Sequence, residues 1–185
     1  MQPETLKGFN LVGGTALALQ IGHRLSVAID MFGSSEINEL EFAQELSKFG
    51  NPVVLKKSKN IIIYAVNGLK VDFVNYHYPL LKNIETVDSI RLVSLEDIAA
   101  MKLNAISGRG SKKDFIDLYF LLQTFSLKEM MEFYNKKYED GSHFLLLKSL
   151  VYFEDAENEE MPIMTEPLEW GKVKNTILTE TVMLE

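Results

Sequence analysis

The sequence predicts an α+β fold: a small mixed β-sheet with flanking helices, followed by a helical C-terminal part. Three observations carry this reading. Short apolar runs punctuated by Gly-Gly, Pro and Asn-Gly fill the first half. Amphipathic runs of helical spacing alternate with them and take over after Ser94. No repeat or low-complexity tract interrupts the 185 residues, a length that suits one domain with a modest appendage. The division falls between a sheet-bearing core over residues 1–93 and a helical part over 94–185, with a looser tail from about residue 160.

The elements follow in order. "NLV" reads as a short strand breaking into the turn Gly13-Gly14, and "TALALQIGHR" as a helix capped by Thr15 with Leu17 and Ile21 on one side. "SVAIDMF" is the next strand, with Val27, Ile29 and Met31 on one face and Ser26, Ala28 and Asp30 on the other. "SEINELEFAQELSKFG" is an amphipathic helix with Ile37, Leu40, Phe42 and Leu46 apolar, closed by Gly50. "VVLKKSK", "NIIIYAV" and "LKVDFVNY" are strands, and Asn67-Gly68 between the last two signals an antiparallel hairpin. "IRLVS" is one more short strand. Ser94 with Asp97 caps the helix "LEDIAAMKLNAIS", the Gly-rich bend "GRGSKK" follows, and "KDFIDLYFLLQTF" is a second helix. The remainder is mostly helical, ending in a looser tail.

Composition narrows the functional classes. A formal net charge of −7 argues against broad, non-specific nucleic-acid binding, while leaving room for a local basic patch holding one phosphorylated ligand. Cysteine is absent, which removes disulfides, thiolate metal sites and cysteine nucleophiles. The apolar stretch "GFNLVGGTALALQIG" fails as a signal peptide, because the residues before it lack net positive charge and glycines interrupt it. It is also too short to span a bilayer. The expectation is a cytoplasmic protein with no membrane association.

Three constellations are candidates for chemistry. Gly13-Gly14-Thr15 at a strand-to-helix junction lets backbone approach a ligand, and free N–H groups at a helix start favour phosphate. The plain alternative is a tight turn. Asp30 and Asp72 lie on strands among apolar neighbours, where a carboxylate needs a cation, a donor or exposure. Two such carboxylates at a glycine turn outline a Mg²⁺ or Mn²⁺ site for phosphoryl or nucleotidyl transfer; the alternative is that both face solvent. In "MKLNAISGRGSKKDFIDLYFLL", Lys102 and Arg109 are seven apart and fall on nearly the same face if the helix continues that far, and Asp114 and Asp117 share a face of the next. Helices laced by surface ion pairs, Lys113 with Asp117 for example, would give the same pattern. His23, beside Arg24 at a helix end, reads as a capping or solvated residue. His77 and His143 have no partner at metal-site spacing, and Trp170 reads as a packing anchor or partner contact.

Together these motifs resemble the AbiEii/AbiGii toxin nucleotidyltransferases, part of the wider DNA-polymerase-β-like superfamily. "LVGGTALALQIGHRLSVAIDMF" is similar to the family's glycine turn, helix and Asp-bearing strand, and the Lys102–Asp117 segment is similar to its later motif; the likeness runs from about residue 9 to 125. The resemblance implies a nucleotidyltransferase fold in which Gly13, Gly14 and Thr15 hold nucleotide phosphates and Asp30 and Asp72 bind metal. It further implies that Lys102 contacts phosphate, that Arg109, Lys113, Asp114 and Asp117 shape or complete the far wall of the cleft, and that Asp30, Asp72, Lys102 and Asp114 are the catalytic set. The implied reaction is attack by an acceptor hydroxyl on an NTP, with tRNA or another RNA as acceptor. The implied biology is a toxin–antitoxin or phage-defence system with a regulator-type antitoxin. One position departs from the pattern: Ala28 stands where the family's Asp-x-Asp places its first acid. That leaves a natural pseudoenzyme that still binds nucleotide, a weak one-metal catalyst, or a deliberate inactivating change. The rival function is a catalytically degenerate module that binds nucleotide or faces an antitoxin.

Overall fold

The computed structural model describes residues 6–184. In chain order the first half comprises β1 (Phe9–Val12), α1 (Gly13–Ile21), β2 (Ile29–Gly33), α2 (Glu39–Leu46), β3 (Pro52–Lys57), β4 (Ile61–Val66), β5 (Leu69–Asn75), β6 (Glu85–Val87) and β7 (Ile90–Leu92). The second half comprises α3 (Leu95–Gly108), α4 (Lys112–Leu121), α5 (Leu127–Lys137), α6 (His143–Leu150), α7 (Glu154–Glu157) and α8 (Trp170–Val182). The strands make one mixed sheet in the order β3-β4-β5-β2-β1-β7-β6.

At the centre, β2 runs antiparallel to β1 and parallel to β5, with α2, β3 and β4 forming the connection between the two parallel strands. The register aligns Val12 with Asp30 and Asp30 with Asp72. The β4–β5 hairpin forms as its sequence requires: Asn67 and Gly68 take φ of 49° and 81°, the two left-handed residues of a tight hairpin turn. Strand β6 went unread because its hairpin turns through Asp88 and Ser89, φ 47° and 66°, with no glycine to mark the turn.

Two apolar clusters hold the layers. The smaller packs α2 on the sheet through Phe9, Phe42, Phe73 and Tyr64, with the Phe42 and Phe73 ring centres 4.7 Å apart. The larger draws residues from β1, α1 and β7 as well as from the C-terminal helices. Val173 and Ile177 of α8 are fully buried in it, so the tail beyond residue 170 is a packed helix. Trp170 packs against Phe115 and Phe153 and donates to Glu157, an anchoring role. Among the described residues no helix is long and apolar enough to cross a membrane.

Several local readings need correction. Helix α1 stops at Gly22, whose φ of 67° breaks the run before His23 and Arg24. Thr15 lies inside α1 and makes no cap; its hydroxyl bonds Ser26 Oγ at 2.8 Å and the Ala28 carbonyl. Strand β2 begins only at Ile29, and Val27 is exposed, because residues 23–25 turn aside to pair with residues 163–165. Leu40 is likewise exposed, while Phe42 and Leu46 carry the buried face of α2, and that helix is capped by Ser47 rather than closed by Gly50.

Gly68 tests the hairpin directly. A methyl group there meets nothing within 4 Å, so Gly68→Ala isolates the conformational cost of φ 81°. Urea unfolding of this variant is expected to show a loss of about 1–2 kcal/mol.

Candidate active site

The turn from β1 into α1 brings backbone and carboxylates together. Gly13 has φ 68°, and a Cβ on it would stand 2.7 Å from Asp30 Oδ2. A Cβ on Gly14 would stand 2.2 Å from the Arg24 guanidinium. The two glycines therefore make room for two different groups: one for a carboxylate at the sheet, the other for a buried cation. Asp30 and Asp72 sit side by side on adjacent parallel strands. Burial and the neighbouring Asp72 carboxylate push the Asp30 carboxyl above its ordinary range. Asp72 Oδ2 accepts from Lys70 at 2.5 Å, whereas its Oδ1 is buried with no partner.

Facing them across a cleft of about 410 Å³ is α3, with Met101, Lys102 and Asn104 on the lining and Arg109, the residue that caps its C-terminal end, beside them. The Lys102 ammonium is buried between Asp114 at 2.9 Å and Asp117 at 2.5 Å. Asp117 also takes both Nε (2.7 Å) and Nη2 (2.9 Å) of Arg24, and His23 Nε2 at 2.8 Å. Asp114 takes Arg109 Nε at 2.8 Å and Ser111 Oγ at 2.7 Å. Burial alone would raise both aspartates. Lys102 and the arginines outweigh it and hold both carboxyls well below the usual carboxylate range. The lacing ion pairs are thus buried in the fold, and Asp117 pairs with Arg24 and Lys102 while Lys113 is exposed on α4 outside the cleft lining.

Sequence reasoning passed over Arg24 and made His23 a capping or solvated residue, because both were read as the end of α1. The signal was Gly22, a stop for that helix. Lys56, Tyr76 and Tyr138 also line the cleft, placed there by strand register and by α5. His77 and His143 are exposed.

Among the described residues no cluster of three or more His, Asp or Glu side chains converges. Asp30 and Asp72 nevertheless fit a divalent cation of the Mg²⁺ kind, which binds through one or two carboxylates and keeps water and phosphate oxygens for its other positions. The unpartnered Asp72 Oδ1 is the acceptor such an ion would satisfy.

Asp117→Asn removes one carboxylate from three buried partners and is expected to cost about 3–5 kcal/mol in denaturant unfolding. A carboxyl depressed in the fold contributes fully above the ordinary value of about 4, and that contribution fades as pH falls below it. The variant is therefore expected to lose stability less steeply than the parent below about pH 4, measured as Tm against pH.

Residues 66–182 match the family described as nucleotidyl transferase AbiEii toxin of a type IV toxin–antitoxin system. The matched segment includes the C-terminal helices, so the likeness reaches past residue 125. An uncharacterised protein of Aquifex aeolicus (strain VF5) is 41% identical over 157 residues, covering 82% of this chain and 76% of that protein. A nucleotidyltransferase toxin of Mycobacterium tuberculosis H37Rv, MenT4, superposes with a TM-score of 0.64 at 14% identity, over 96% of this chain and 76% of its own. A structure described as a putative nucleotidyltransferase from H. pylori gives 0.60 at 17% identity, over 97% and 87%. These two structures share the fold, and the family match carries the assignment: the chain belongs to the AbiEii nucleotidyltransferase toxins.

Proposed function

We propose that this chain transfers a nucleotide from an NTP to an acceptor hydroxyl, releasing pyrophosphate, with one Mg²⁺ or Mn²⁺ held by Asp30 and Asp72. The observation that carries the reading is the Asp30–Asp72 register beside the Gly13 turn, with Asp72 Oδ1 buried and unpartnered. Bound there, the cation would neutralise phosphate charge and favour in-line attack. The first amides of α1, opened by Gly13 and Gly14, meet the triphosphate. Thr15 supports that turn through its bonds to Ser26 and Ala28. Arg109, with its side chain 62% exposed, offers its remaining donors to phosphate oxygens from the opposite wall. Asp72 also assists removal of the proton from the attacking hydroxyl. Lys102 borders the phosphate path and acts through its field, its ammonium being held by Asp114 and Asp117. Lys113 lies beyond the cleft wall, where a long acceptor such as tRNA would pass. Membership of the toxin family implies an antitoxin partner; a regulator-type protein and a role in phage defence complete the proposal.

Ala28 favours a second reading, a degenerate module that binds nucleotide without transferring it. Labelled-NTP transfer to total tRNA by the parent and by Ala28→Asp separates the two. A working one-metal enzyme labels tRNA as the parent, and Ala28→Asp raises its cation affinity on the order of tenfold. Labelling by the aspartate form alone marks an inactivated enzyme, and silence in both folded proteins supports the binding module. Calorimetry with Mg²⁺ and each of the four NTPs tests the shared premise, and absence of heat with all four would overturn it.

Protons compete with the cation at Asp30. Because its carboxyl is raised in the fold, ionisation costs stability as pH rises from the unfolded value through the folded one, and cation binding relieves that cost. Added MgCl2 is expected to raise Tm more at about pH 8 than at about pH 5. Asp30→Asn should abolish the difference.

A further inference from the structure

A second cavity, of about 300 Å³, adjoins the cleft. Val12, Phe32, Tyr76 and Met101 line both, so the two form one groove with the carboxylates at one end. Register accounts for this continuity. Phe32 lies two residues beyond Asp30 on β2, hence on the same face, and pairs with Asn10 of β1 on one side and Val74 of β5 on the other. The Phe32 and Tyr76 ring centres are 4.8 Å apart, and Tyr78 continues the series 5.2 Å from Tyr76. Tyr76 is fixed by a hydrogen bond between its hydroxyl and that of Tyr138.

The polar groups here differ from those at the carboxylate end. The charged side chain is already matched: Lys137 is buried and bonds Asp97 Oδ1 and the Pro79 carbonyl, each at 2.6 Å. Its ammonium lies 5.5 Å from the centre of the Tyr76 ring. By contrast, the Asn10 amide and the Ser34 hydroxyl make no hydrogen bond to another described residue. A phosphate would call for a free cation, and an aliphatic chain would leave the amide unpaired. Aromatic faces with a free neutral amide and hydroxyl at the edge suit a flat, uncharged ring that carries its own donors and acceptors.

We propose that this cavity binds a nucleobase, stacked on the Phe32–Tyr76 aromatic wall and hydrogen-bonded at its edge by Asn10 and Ser34. The base belongs either to the donor NTP or to the acceptor strand, and only this choice of source rests on the transferase reading. The base lies one same-face row beyond the carboxylates, two residues further along β2, so its sugar and phosphate run back toward Asp30 and Asp72.

Calorimetry on the full chain with three probes in Mg²⁺ tests this: inorganic tripolyphosphate, each NTP, and a short single-stranded oligoribonucleotide of each base. The variants are Tyr76→Phe, which keeps the ring, Tyr76→Leu, which removes it, and Asn10→Ala. If the donor base occupies the cavity, Tyr76→Leu weakens NTP binding about tenfold or more and leaves tripolyphosphate unchanged. If the acceptor base does, the same loss falls on an oligoribonucleotide and spares both triphosphates. Tyr76→Phe retains binding in either case, and Asn10→Ala changes the ranking among bases even where Tyr76→Leu fails to fold. Binding that is equal with and without a base, or indifferent to all three variants, overturns the proposal while leaving the carboxylate site standing. Failure of the parent to bind tripolyphosphate and every NTP overturns the transferase reading instead; Tyr76-dependent oligoribonucleotide binding would then still support the base pocket.

Discussion

The cleft exists because the Lys102 ammonium is neutralised inside the protein. An ion of that kind costs several kcal/mol to desolvate, and the cost is met only where geometry is close and hydrogen bonds are complete. Here Asp114 and Asp117, one turn apart on α4, close on Lys102 from α3, and Arg24 arrives from the segment between α1 and β2. Three parts of the chain are thereby tied at one point. The tie sets how far α3 stands from the sheet, and hence the width of the space between Arg109 and the two sheet carboxylates. Gly14 belongs to the same construction, since any side chain there would collide with the Arg24 guanidinium. The cluster sets three permanent cations, Lys102, Arg24 and Arg109, against two carboxylates. Arg109, the exposed member, carries the surplus positive charge on the side that faces the cleft.

The sequence was most legible where chemistry is local. Asn67-Gly68 announced its hairpin, and Ser94 with Asp97 announced the start of α3, whose cap bond forms as read. The three-residue step from Asp114 to Asp117 correctly implied a shared helix face, because helical periodicity is a property of the backbone, whereas α3 stops at Gly108 and Arg109 is its non-helical cap. What stayed hidden is non-local. Nothing near Asp117 points to Arg24, 93 residues away, or to the bidentate pairing between them. Lys137 and Asp97 form a buried pair 40 residues apart for the same reason. Lys56 reaches the cleft only through the β3–β4 register, which shifts at a bulge between Val54 and Lys56. Gly22 was visible, but its left-handed turn was read as helix, and that one misreading made His23 a capping or solvated residue and left Arg24 without a role.

Ala28 gains meaning from its surroundings. It lies just ahead of β2, where its carbonyl accepts from the Thr15 hydroxyl, so the backbone at this position is held to α1 whatever the side chain. The turn, the helix start and Asp30 all keep their places without an acid here. The scaffold of the proposed phosphate and cation site is therefore separable from the number of carboxylates it carries. A site with two carboxylates suits one hard cation that retains several waters, whereas a second ion would need ligands shared between the two.

Lys70 shows how such a reduced site balances its charge. Its ammonium bonds Asp72 Oδ2 from a side chain that is 50% exposed, so the pair is largely a surface ion pair, worth at most about 1 kcal/mol. That is enough to offset one of the two adjacent carboxylates, and too little to hold Asp72 against the divalent ion of the proposed function. Asp30, by contrast, has no such partner and meets its neighbour's charge by holding its proton more tightly. The two carboxylates thus meet each other's charge in different ways, one through a weakly held lysine and the other through a raised proton affinity. Neither adjustment involves the backbone, because the register of β2 against β5 and the buried cluster behind α3 already fix the distances across the cleft.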